Sequence, residues 1–364
     1  MQCPECESFV DISFPETDLI FWLPLEYSHE KVMSLLQESN FKYEVLEPQV
    51  IRASLTTSSL NPFLIQIGGT LTGQEQRGSN ALALPRGTKP DFRNLARTMT
   101  LERMVGLSGG QWLQHLIQED RFTSFFQPII WAETGELKGY EALFRGMEPD
   151  GSILSPGYIF DTAETAGMMF QVDLAGRRSA VQNAAKQSIG DAKLFINFNP
   201  TAIYDPSYCL RTTVSACEEL GLRPGQIVFE VTETDEVTDV NHLRGILKFY
   251  RKAGFRVALD DVGAGYAGLN LLRDLEPDYM KIDRHLIIDI DADDFKQNIV
   301  QHLISMAHRQ RIKVIAEGIE TQAESEWLKD AGVDLVQGYY YARPSAELLS
   351  NEQKTSVREI FKHQ

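Results

Sequence analysis

The chain has 364 residues, a formal net charge of −16 and 43% apolar residues. That apolar content supports a packed core and excludes global disorder, and the length exceeds one small domain. The charge excludes long nucleic acids and anionic membranes as nonspecific partners. It leaves a small anionic substrate open, because bound cations can invert the field inside a pocket.

The start, MQCPECESFVDISF, is acidic, and the nearby apolar stretch LIFWLPL is far shorter than a bilayer crossing. The expectation is a cytoplasmic protein without a membrane partner, whose four cysteines are reduced thiols. Cys3 and Cys6 have the spacing of half a zinc knuckle. No second pair follows in residues 7–110, and His29 is the only histidine there. A reduced thiol pair is therefore the reading weighed against zinc. Cys209 and Cys217 lie in a helix-like run at a spacing that shares a face but cannot bridge.

In chain order, residues 18–25 read as a strand and 29–39 as a helix with one apolar face. Residues 42–46 and 49–55 read as two strands around Glu47-Pro48, and 63–69 and 80–85 as two more. The stretch 85–98, rich in Pro, Gly and charge, reads as a loop or linker. Residues 110–120 form a short amphipathic helix. The expected organisation is a small α/β domain over residues 1–108 and a second domain over 109–364.

From residue 123 eight strand candidates follow: SFFQPII, KGYEALFR, KLFINFN, IVFEVTE, FRVALDD, YMKID, KVIAEGIE and LVQGYYYA. Only WAETGE separates the first two, which suits a hairpin and makes the first strand antiparallel. Helix-like stretches fill the later connections and are long enough for right-handed crossovers. The fold class is α/β: a TIM-like (β/α)8 barrel with one antiparallel strand, preceded by the small α/β domain.

Nearly every barrel run ends in a polar residue: Glu141, Asn197, Glu230 with Glu233, Asp260 with Asp261, Lys281, Glu317 and Gln337. A β/α barrel gathers such strand ends into one site. So many carboxylates cannot converge unpaired, and a divalent metal site is the simplest way to hold them. Successive strand residues point to opposite faces, so Asp260 and Asp261 share a site only if the strand ends there. Taken alone, that pair reads equally well as a helix N-cap before residues 266–275. With four other polar strand ends beside it, the metal reading prevails, and Asp260 can bridge two cations. Lys281 lies in a run otherwise apolar apart from Asp283, so it needs a carboxylate or an anionic ligand.

Glu141-Ala142-Leu143 within YEALFRG, with DDVGAG, YMKID, AEGIE and QGYYYARP, resembles the EAL-domain phosphodiesterases over roughly residues 110–360. That family hydrolyses cyclic dimeric GMP to the linear dinucleotide pGpG. The resemblance implies that Glu141, Asn197, Glu230 and Asp260 hold one Mg²⁺ or Mn²⁺ ion, and Asp260 and Asp261 a second. It places Lys281, Glu317 and Gln337 around the reacting water. Gln127, Arg145 and Asp283 fall on the substrate side, and Glu233 braces the loop after the paired aspartates. It also implies a homodimer. The loop departs from the family pattern, with Val262 for Phe and Ala267 and Gly268 for two serines. A non-hydrolysing receptor for cyclic dimeric GMP is the alternative that this departure favours. Residues 1–108 resemble no family; by analogy they form a regulatory or dimerising module.

Overall fold

The computed structural model describes residues 12, 14–200, 203, 206–232, 240–265 and 268–362. Cys3, Cys6, Glu233 and Ala267 lie outside the described residues. The chain divides into two compact units, Met1–Arg121 with Leu154–Val172 and Phe122–Ile153 with Asp173–Gln364.

In the first unit, β1 (Glu16–Trp22), β2 (Lys42–Glu47), β3 (Val50–Thr56), β4 (Asn80–Pro85) and β5 (Met99–Thr100) form an antiparallel sheet. Its order is β2-β3-β1-β4-β5. Helices Glu26–Glu38 and Thr57–Thr70 follow β1 and β3, giving a βαββαβ succession up to β4. The central strand β1 is buried on both faces, which explains its continuous apolar run. Phe21 meets Phe63 of the second helix edge-on at 6.4 Å, while Ile20 clusters with Leu82 and Leu84.

The run at 63–69, expected as a strand, is part of helix Thr57–Thr70. Its buried residues Leu60, Phe63, Leu64 and Ile67 recur at helical spacing, and Thr56 with Ser59 forms a capping box at its start. Stretch 85–98 is irregular apart from the four-residue helix Phe92–Leu95. Helices Leu101–Gly109 and Pro156–Ala166 of this unit pack closely. A Cβ on Gly106 would lie 2.1 Å from the Thr165 carbonyl oxygen, so only glycine allows the approach.

The second unit contains β6 (Phe122–Trp131), β7 (Leu137–Met147), the first residue of the two-residue strand β8 (Ile153–Leu154), β9 (Lys193–Asn197) and β10 (Ile227–Thr232). It continues with β11 (Arg256–Val262), β12 (Tyr279–Ile282), β13 (Lys313–Ala316) and β14 (Leu335–Val336). Eight of these close into a barrel in the order β6-β14-β13-β12-β11-β10-β9-β7, with β6 pairing back onto β7. As expected, β6 runs antiparallel to both neighbours and the other pairs are parallel.

Side chains alternate along each strand, so inward positions recur every second residue. Phe195, Val228, Ala258, Tyr279, Ile315 and Leu335 stand two residues before Asn197, Glu230, Asp260, Lys281, Glu317 and Gln337. With Ile129 of the reversed β6 they form one buried apolar layer. That layer is the floor on which the polar strand ends sit.

Candidate metal centre

Lys281 is 1% exposed and sits at the middle of the polar layer. Its ammonium lies 2.6 Å from Glu317 Oε1, 2.8 Å from Glu230 Oε1, 3.0 Å from Asp260 Oδ1 and 3.7 Å from Glu141 Oε1. Burial opposes its charge, but these four carboxylates outweigh that and hold its pKa well above the usual lysine range. The same burial pushes the pKa of Glu230 and Glu317 well up and raises that of Asp260. One lysine cannot neutralise this many acids, so the site favours further positive charge.

Register places the remaining members. Gln127 faces Glu141 directly across the β6–β7 pair, and Gln337 donates from Nε2 to both, at 3.2 Å to Gln127 Oε1 and 2.6 Å to Glu141 Oε2. Asn197 Nδ2 donates to Glu141 Oε1 at 3.3 Å. Gln127 in turn donates to the Ala342 carbonyl at 3.5 Å.

The paired aspartates meet in a way the sequence did not suggest. The strand does not end at Asp261 but continues through Val262. Between the Leu259–Met280 and Val262–Ile282 pairs, both aspartates oppose the single residue Lys281, which is a β-bulge. Asp261 takes φ of 56, a left-handed conformation that Asp tolerates better than most residues. Burial first, and Asp260 second, raise the Asp261 carboxyl to about 6. Neither aspartate caps a helix, since the next helix starts only at Gly268.

Other expected site residues lie around this centre. Arg145 lies over the Phe125 ring at 5.3 Å and donates to the Phe144 carbonyl at 2.7 Å. Asp283 caps the short helix Arg284–Ile287, accepting from the His285 N–H at 2.9 Å. Glu233 lies outside the described residues.

Two supports escaped the sequence reading. Asp173 Oδ1 accepts from the Asn199 N–H at 2.8 Å and anchors the loop after β9, while Arg177 Nε donates to Asp173 Oδ2 at 3.0 Å. Gly338 lets two strand-end loops touch, because a Cβ there would sit 2.1 Å from the Ile319 carbonyl oxygen. Aspartate in mid-helix carries no local signal, whereas the glycine beside Gln337 was a readable one.

The donors suit a hard divalent cation. Glu141, Glu230 and Asp260 bring carboxylate oxygens within 4.8 Å of one another, and so do Asp260, Asp261 and Glu317. Asp260 belongs to both sets. Every donor in them is oxygen, which favours cations of the Mg²⁺ and Mn²⁺ type over zinc. Glu230 is fully buried, and its Oε1 lies 2.8 Å from the Lys281 ammonium, which it shares with three other carboxylates. A buried carboxylate with only a share of one cation calls for further positive charge.

The barrel and its acidic strand ends define a class, and sequence comparison agrees. The EAL domain model matches residues 110–344, and the chain belongs to that family. It is similar to the probable cyclic di-GMP phosphodiesterases PdeG and PdeB of Escherichia coli K12, at 29% identity over 235 residues and 32% over 232. Each alignment covers 64% of this chain but only 46% and 44% of the relative, so the chain spans less than half the length of these relatives. A standalone EAL protein from Vibrio cholerae O395, solved bound to c-di-GMP, is 40% identical with a TM-score of 0.58, covering 64% of this chain and 97% of that one. BlrP1 of Klebsiella pneumoniae, solved as a manganese/cy-diGMP complex, shares the fold over 91% of this chain and 96% of its own, with a TM-score of 0.56 at 24% identity.

Proposed function

We propose that this chain hydrolyses cyclic dimeric GMP to linear pGpG in a metal-dependent reaction. The four carboxylates of Glu141, Glu230, Asp260 and Glu317, gathered around the single buried ammonium of Lys281, are the observation that carries this reading. The names of PdeG and PdeB and the c-di-GMP-bound Vibrio structure support the choice of substrate.

Two ions, Mg²⁺ or Mn²⁺, would be held by Glu141, Asn197, Glu230 and Asp260 and by Asp260 and Asp261. When bound they lower the pKa of a water and stabilise charge on the phosphodiester. A water oxygen attacks one phosphorus and the 3′ oxygen leaves, which opens the ring and keeps the 5′ phosphate. Lys281, protonated throughout the neutral range, donates to the water or to a phosphate oxygen. Glu317 and Gln337 orient the water from the neighbouring strand ends. Gln127, Arg145 and Asp283 face the nucleotide, and Glu233 braces the loop after Asp261.

The working protein is a cytoplasmic homodimer in which residues 1–108 set the rate of the catalytic domain at 109–364. Among the described residues, no helix is long and apolar enough to cross a membrane. The test is incubation of the full chain with cyclic dimeric GMP and Mn²⁺ or Mg²⁺, with products resolved by chromatography. The expected result is pGpG that disappears when EDTA removes the metal. Product formation undiminished in EDTA, or none with either metal, would contradict the proposal.

A further inference from the structure

The barrel interior ends in cations on the side away from the carboxylates. Two positions below Ile129, Phe195, Ala258 and Ile315 stand Trp131, Lys193, Arg256 and Lys313, each at the N-terminal end of its strand except on the reversed β6. Lys138 joins them: its Nζ lies 4.8 Å from the Trp131 ring centre, and that of Lys313 lies 5.6 Å away.

Only two carboxylates pair with these cations among the described residues, and both are engaged. Asp278 takes Arg256 at 2.7 Å and the Val257 N–H at 3.0 Å. Asp334 takes Lys313 at 2.5 Å, His308 at 2.8 Å and the Val314 N–H at 2.9 Å. Lys193 donates to the Gly225 carbonyl, and Lys138, whose electrostatic neighbour is Lys313, makes no ion pair among the described residues. Burial, then the charge of Lys313, lowers the pKa of Lys138; burial, then Lys138 and Arg256, lowers that of Lys193. Arg256 and Lys313 are half-exposed, so the cluster is open to solvent. The four cations Lys138, Lys193, Arg256 and Lys313 thus face two carboxylates, a local excess of positive charge in a chain of net charge −16.

We propose that this end of the barrel is a second site, which binds a phosphate-type oxyanion between Lys138 and Lys193 beside Trp131. A tetrahedral dianion offers several acceptors at once, which suits a layer of several cationic donors and relieves the mutual repulsion of Lys138 and Lys193. The proposal does not depend on the phosphodiesterase reading.

The test uses the full chain labelled with 5-fluorotryptophan, in EDTA, with the Trp131 resonance assigned by Trp131→Phe. Sodium phosphate and AMP are titrated against sodium chloride at matched ionic strength. The Trp131 resonance is expected to move saturably with phosphate and not with chloride. Lys138→Gln and Lys193→Gln should each weaken binding roughly tenfold. Equal affinity for phosphate and AMP assigns the site to the bare oxyanion, and tighter AMP assigns it to a nucleoside phosphate; both support the proposal. A resonance that moves no further than in chloride, or equally in the lysine variants, overturns it.

Discussion

Asp261 donates its backbone N–H to the Asp260 carboxylate at 2.9 Å, from a left-handed conformation. That contact fixes the bulge through which two successive aspartates oppose one lysine. Asn tolerates this backbone as Asp does, whereas a β-branched residue does not. At about pH 5, where the Asp261 carboxyl still holds its proton, Asp261→Asn is expected to keep its thermal midpoint, and Asp261→Val to lose about 1–2 kcal/mol. Thermal unfolding of both variants checks this, and equal stability would contradict the bulge geometry.

In the proposed metal centre, protons and metal would compete for the same oxygens. The Asp261 carboxyl, raised to about 6, keeps its proton in the fold after the unfolded chain has lost it. Its stabilising share is present below the unfolded carboxylate range near pH 4 and is lost as pH rises through about 6. A metal held by Asp261 would displace that proton, so Mn²⁺ should raise the thermal midpoint less at about pH 5 than at about pH 7.5. A midpoint shift independent of pH, measured by scanning calorimetry against EDTA, would contradict the metal assignment.

Gly338 holds the Gln337 loop against the Ile319 backbone, where a methyl has no room. Gly338→Ala is expected to cost about 1–3 kcal/mol, or more if the loops must part. Thermal unfolding reads the loss, and an unchanged midpoint would mean that the two loops are further apart.

The Asp173–Arg177 pair is almost fully buried, and Arg177 also donates from Nη1 to Thr213 at 3.2 Å. Asp173→Ala removes the buried counter-charge of the guanidinium and the acceptor that anchors the loop after Asn197. The expected loss is about 3–5 kcal/mol in denaturant unfolding, with a smaller loss for Asp173→Asn. Equal losses would mean that the charge of the pair is not what matters.

The barrel was legible because each strand pairs an apolar run with a polar end, and the structure brings the polar ends Glu141, Glu230 and Lys281 together. The reversed first strand was legible from the short WAETGE connection. The helix at 57–70 was not, because Ile65, Ile67 and the glycine pair at 68–69 mimic a strand and its turn. Nor was the bulge, since an extra residue shows only against a partner strand. Lys281 was seen to need a carboxylate, but which acids surround it depends on the stagger of five strands. Asp173 needed the fold, because its partner Asn199 is remote in sequence.

The most direct test of the central claim measures cyclic dimeric GMP binding and turnover together, in the wild-type chain and in Glu141→Ala with Mn²⁺. The account predicts pGpG from the wild type and at least a hundredfold slower turnover in the variant, whose fold is unchanged by circular dichroism. Tight binding without product in the wild type would make this chain a receptor. Undiminished turnover in the variant would remove Glu141 from the metal centre.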